Sequence, residues 1–173
     1  MRYIHCTQKL LKEIKSKPID IDENREVGGF GDWYSNIFQI DKTVFLAFLN
    51  VKTLYAFVVQ DIYREDIDDF KNMFIYHMNR SLKFSGFDSE IRNKLISEYT
   101  EIEFVKTNSR STLGYVNDLI ESFIYSISDD RYGGPLNVDE FNVNILNNPI
   151  KAFKFKNPRE KLIELVDNEI LKK

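Results

Sequence analysis

Two almost uninterrupted apolar runs, Val44 to Leu49 and Leu54 to Val59, dominate the pattern of this chain. Both are rich in β-branched and aromatic side chains, and Asn50, Lys52 and Thr53 lie between them. Runs of this length and composition read as strands rather than helices. Neither alternates apolar with polar, so both faces of each must be covered, as in the middle of a sheet. The polar joint makes the pair a hairpin. Asn36 to Ile40 reads as a third strand, joined through Asp41 and Lys42, and three successive antiparallel strands form a meander.

On either side of the meander the spacing alternates between strand and helix. Tyr3 to Cys6 predicts a short strand, with Ile4 and Cys6 on one face and Tyr3 and His5 on the other. A helix follows, with Thr7 as its cap, Leu10, Leu11 and Ile14 as its apolar stripe, and Pro18 as its stop. From Glu65 the period becomes helical, through Ile67, Phe70, Phe74, His77 or Met78, and Leu82. The acidic start (Glu65, Asp66, Asp68, Asp69) suits the positive end of the helix dipole. Gly86 ends this helix, and Asp88 caps the next, whose inner face is Ile91, Leu95 and Ile96.

Glu101 to Val105 alternates like a half-exposed or edge strand. KTNSRST (106–112) then opens a strongly amphipathic helix, with Leu113, Val116, Ile120, Phe123, Ile124 and Ile127 on one stripe. Beyond it, Asp129 to Pro135 reads as a turn and Val138 to Leu146 as a short helix. Ala152 to Lys156 reads as a strand with Phe153 and Phe155 facing the core. Asn157 and Pro158 start a last helix with Leu162, Ile163, Leu165, Val166 and Ile170 as its contact face. The fold class is therefore α+β: a sheet built on the meander, antiparallel, or mixed if the outlying strands enter in the other direction, with helices packed against it. A length of 173 residues suits one globular domain, with 150–173 as a strand–helix extension.

Composition narrows the function classes. With 43% hydrophobic residues and only four prolines the chain is not disordered. A net charge of −3, from 24 basic and 27 acidic side chains, gives no broad electropositive field for nucleic acid. The central apolar stretch is not expected to span a membrane, because Lys52 at its middle would cost roughly 2.5–3.5 kcal/mol. One cysteine and no apolar signal segment in MRYIHCTQKL point to a cytoplasmic protein, and the Asn, Ile, Lys, Phe and Tyr usage suits an AT-rich bacterial genome.

No CxxC pair, HExxH, GxSxG or Walker lysine is present, and no metal or cofactor is expected. Asp20, Asp22 and Asn24 begin like a calcium loop, but Arg25 and Gly31 occupy the positions that need glycine and glutamate. Gly28, Gly29 and Gly31 read as a flexible turn, and Trp33 as a packing anchor whose edge could line a pocket. His5 and Cys6 point apart on a strand, so they do not form a nucleophilic dyad.

The best-defined polar constellation is at residues 106–121. Arg110, Gly114, Asn117 and Glu121 fall along one border of the amphipathic helix. Lys106, Thr107, Ser109 and Arg110 gather where free amides and the helix dipole favour an anion. A glycine inside a helix costs ~1 kcal/mol relative to alanine, which points to a close approach at Gly114. The preferred reading is a non-catalytic interaction module that binds a protein partner or a small anionic ligand at this edge, with His5 and Trp33 as further candidates. The alternative is a small hydrolase or transferase, with His5 as acid or base and Lys106 or Arg110 stabilising negative charge. A third reading uses the lysines interleaved with Phe153 and Phe155 to bind nucleic acid.

The stretches IHCTQKLL (4–11), WYSNI (33–37) and KTNSRSTLGYVND (106–118) resemble a small bacterial family of domains of unknown function. The resemblance spans nearly the whole chain. It implies that the segments around His5, Asn36, Lys106, Arg110, Gly114 and Asn117 come together, and it supplies no activity.

Overall fold

The architecture follows from a computed structural model that describes residues 1–22, 24–128 and 137–170. Strands β1 (Arg2–Cys6), β2 (Trp33–Ile40), β3 (Thr43–Asn50), β4 (Ala56–Val59) and β5 (Ile102–Lys106) form one sheet in the order β4-β3-β2-β1-β5. β2, β3 and β4 are the predicted antiparallel meander. β1 lies parallel to both of its neighbours, with Ile4 opposite Trp33 of β2 and Cys6 opposite Lys106 of β5, so the sheet is mixed.

The joint between β3 and β4 is built on Asn50. Its Oδ1 accepts from the amides of Lys52 and Thr53 and from the Thr53 hydroxyl, and its Nδ2 donates to the Phe30 and Asp32 carbonyls. Leu54 takes a left-handed φ of 53° to close this turn, so β4 begins at Ala56 and not at Leu54.

Both faces of the sheet are covered, as the unbroken apolar runs require. On one face Ile4, Cys6, Trp33, Leu46, Phe48 and Phe57 pack with α1 (Gln8–Glu13), α2 (Arg64–Asp68), α3 (Phe70–Phe84) and α4 (Ser89–Ser97). On the other, Tyr34, Phe38, Phe45, Ala47 and Leu49 pack with α5 (Arg110–Ser128). Helix α6 (Val138–Leu146) lies along the outer side of β4, and α7 (Pro158–Leu165) joins the first face. Thr7, Asp88 and Asn157 cap α1, α4 and α7 as their positions predict.

Three further expectations are corrected. The helix predicted from Glu65 is broken at Asp69, whose backbone (φ −112°, ψ 41°) leaves the helical region. The buried stripe of α5 is Val116, Leu119, Ile120 and Phe123; Ile124 and Ile127 are exposed. The strand predicted over 152–156 is instead a 3-10 turn at Lys151–Phe153. The Ile150 carbonyl accepts from the amides of both Phe153 and Phe155, and left-handed backbone at Lys154 and Phe155 curls the chain, leaving Phe155 exposed. The turn expected at Asp129 to Pro135 lies outside the described residues, as does the side chain of Ile170.

Candidate functional site

Strands β1 and β5 run side by side in the same direction, yet the helices that follow them go to opposite faces: α1 to one and α5 to the other. The carboxyl ends of two such strands make a switch point, where open sheets of this kind form ligand crevices. Here the segments after β1 and β5 meet β2. The Thr7 hydroxyl donates to Asn36 Oδ1 at 2.8 Å, and Cys6 is the register partner of Lys106. The stretches around His5, Asn36 and Lys106 therefore do come together.

Tyr34 ties them to α5. Its hydroxyl donates to Asn108 Oδ1 at 2.5 Å and accepts from the Ser109 amide at 2.9 Å, with the Asn108 amide at 3.3 Å. Ser109 Oγ in turn accepts from the Thr112 amide at 3.2 Å. The approach to α5 is thus held by the sheet on one side and by its own cap on the other.

His5 lies beneath this arrangement. It is 6% exposed, and its ring stacks on Tyr34 with centroids 4.5 Å apart. Its Nε2 lies 3.7 Å from Asp32 Oδ2, while Nδ1 is buried without a hydrogen-bond partner among the described residues. Asp32 also accepts from the Tyr3 amide at 2.9 Å and pairs with Arg25, whose guanidinium lies 3.7 Å from the centre of the Tyr3 ring. Burial pushes the Asp32 carboxyl up, but the nearby His5 ring, the Tyr3 amide and the Arg25 guanidinium outweigh burial and hold it below its ordinary value.

The helix edge itself is open. Lys106, Arg110, Asn117 and Glu121 are exposed, and their side chains make no hydrogen bond or ion pair with any described residue. Thr107 and Ser109 are half-buried beside them. Apart from its chain neighbours and the backbone of its own helix, no described atom lies within 4 Å of the place a Cβ on Gly114 would take, so no described element makes the close approach that a helical glycine permits.

Other candidates are placed elsewhere. Trp33 is fully buried on the opposite face from His5, donating from Nε1 to the Tyr99 hydroxyl at 2.7 Å, so it is an anchor away from the α5 edge. Cys6 is buried on that same opposite face, where burial pushes its thiol far up, and the pair with His5 does not form. A cleft of ≈ 330 Å³ beside β4 includes His77, Arg80, Asp139 and Asn142, but the Arg80 and Asp139 charges there pair with each other. Among the described residues no cluster of His, Cys, Asp and Glu could hold a metal, and no helix is long and apolar enough to cross a membrane.

Arg25, Asp32 and Tyr34 are site residues that a reading of the sequence does not single out, and Asn108 reads there only as part of the polar cluster that caps the helix. Each acts across sequence separations that local spacing does not report, such as the 74 residues from Tyr34 to Asn108.

Fold and site together define an α+β protein with a mixed sheet and its polar residues gathered at the carboxyl ends of parallel strands. The chain belongs to the family described as Domain of unknown function (DUF6933), which matches residues 3–161. A comparison with curated proteins finds no match.

Proposed function

We propose that this protein is a non-catalytic binding module whose contact surface is the outer edge of α5, from Lys106 to Glu121. The observation that carries the reading is the open space at Gly114. A glycine inside a helix costs ~1 kcal/mol against alanine, and no described part of the chain uses the room it leaves. Arg110, Asn117 and Glu121 line the same band with their hydrogen-bonding capacity unspent on the described chain. Such a face suits a protein partner that supplies an acceptor to Arg110 and a donor to Glu121.

A small anion is the second reading, favoured by Lys106 and Arg110, which pair with no described residue beside the start of α5. It is the weaker one, because Tyr34 and Ser109 already occupy the amides of Asn108, Ser109 and Thr112. The enzymatic reading is weaker still. His5 is covered by Tyr34 and turned to Asp32, whereas a general base must reach its proton directly or through one water.

The test is to isolate the tagged full chain from its own host beside Arg110→Ala and Asn117→Ala variants. Loss of a stoichiometric partner from both folded variants is the expected result; the same partner in the same amount overturns the protein reading. A titration with inorganic phosphate, followed by amide shifts at Arg110 and Ser111, decides the anion reading.

A further inference from the structure

We infer that the partner at this edge is a second copy of the chain, docked through α5 about a two-fold axis; this rests on the reading of α5 as a contact surface. Arg110, Gly114, Asn117 and Glu121 follow one another at steps of four, three and four residues. That is the spacing of the seam along which two helices meet. At 100° per residue these four positions fall in a band roughly 60° wide. The band is turned away from Val116, Leu119, Ile120 and Phe123, which face the sheet.

The seam is complementary to itself. In a two-fold pair, if one residue meets a second, the second meets the first, so antiparallel partners are set symmetrically about one midpoint. Arg110 with Glu121, and Gly114 with Asn117, share the same midpoint. One register therefore provides an Arg–Glu pair at each end and, between them, two places where Asn117 of one copy faces Gly114 of the other. The open space at Gly114 lets the two backbones close together there.

The overlap from 110 to 121 is about 18 Å long. Past it, the exposed Ile124 reaches over the start of the opposite helix, onto its 106–109 segment. Pairing through the sheet is closed to a second copy, because the side chain of Asn142 occupies the outer edge of β4 and Ile19 bridges to β5.

The test is sedimentation of the full chain from about 1 μM to about 1 mM. A concentration-dependent dimer is expected. Arg110→Glu and Glu121→Arg each set like charges against one another at both ends, which should weaken the dimer about a hundredfold. Mixing the two single variants, or combining both changes in one chain, restores the opposite pairs and should restore the dimer. Circular dichroism checks the fold of every variant, and no described contact of Arg110 or Glu121 is at risk. A wild type monomeric throughout that range, or charge reversals without effect, overturns the inference. If the wild type is monomeric while Arg110→Ala still releases a different protein, the self-pairing falls and the binding face stands. If neither series changes any binding, both fall.

Discussion

Asn142 holds the outer edge of β4 through both main-chain groups of Val58: the Val58 amide donates to Oδ1 at 2.8 Å, and Nδ2 donates to the Val58 carbonyl at 2.9 Å. One side chain thus stands in for a neighbouring strand. Asn142 is buried, so water cannot replace it. Asn142→Leu should cost roughly 2–4 kcal/mol in urea unfolding, because two buried main-chain groups lose their partners. Asn142→Asp should cost more near neutral pH, where a carboxylate would face the Val58 carbonyl.

The Asp32 cluster should control the acid side of the stability curve. The Asp32 carboxyl is held below its ordinary 3.8, so its ionised form stabilises the fold. That contribution is complete above pH 3.8 and is lost as pH falls through the depressed folded value. Asp32→Asn should destabilise the protein by about 2 kcal/mol at pH 7 and flatten the acid limb of a denaturation series. An unchanged acid limb would show that other carboxylates set it.

Tyr55 should control part of the alkaline side. Burial pushes its hydroxyl up to about 12, although hydroxyls of Ser81 and Ser85 bond to it at 3.0 and 2.7 Å. A raised value favours the neutral phenol in the folded state. Stability should therefore be intact below pH 10 and fall as pH rises through about 12. Tyr55→Phe should make that decline shallower, at a cost of about 1 kcal/mol at neutral pH for the lost hydrogen bonding. Equilibrium unfolding at pH 7 and across that alkaline range measures both effects.

Gly114→Ala should separate stability from binding. Beyond its own stretch of helix no described atom stands within 4 Å of the new methyl group, and the backbone there is helical. Thermal unfolding should show a gain of up to about 1 kcal/mol. The same substitution should weaken whatever docks on α5, because the methyl fills the space the contact needs. A variant that is both more stable and equally competent in binding would remove Gly114 from the surface.

What could be read in the sequence was what neighbouring residues decide. Thr7, Asp88 and Asn157 announce their helices because each cap accepts from an amide only three residues away. The meander was legible because short joints leave β2, β3 and β4 few ways to pair. The position of β1 was not, since its partners lie at 33–35 and 102–106 and nothing in residues 2–6 names them. The predicted strand at 152–156 failed for a local reason. Its alternation of phenylalanine and lysine fits a pleat, but left-handed backbone at Lys154 and Phe155 does not. Of the candidate site, the helix face was visible as a 3.6-residue period. The Tyr34 bridge beneath it was not, because a hydroxyl reaching across 74 positions leaves no pattern.

The route of the chain between α1 and β2 imposes an order of assembly. It starts on one face of the sheet, passes the outer side of β5 at Ile19, and sets Arg25 over Tyr3 on the other face before returning at Asp32. The bridge at Ile19 has nothing to clasp until residues 102–106 have docked beside β1. During synthesis, the first hundred residues must therefore wait with this strap undone. Closure of the amino-terminal third belongs to a late step, governed by contacts of long sequence separation.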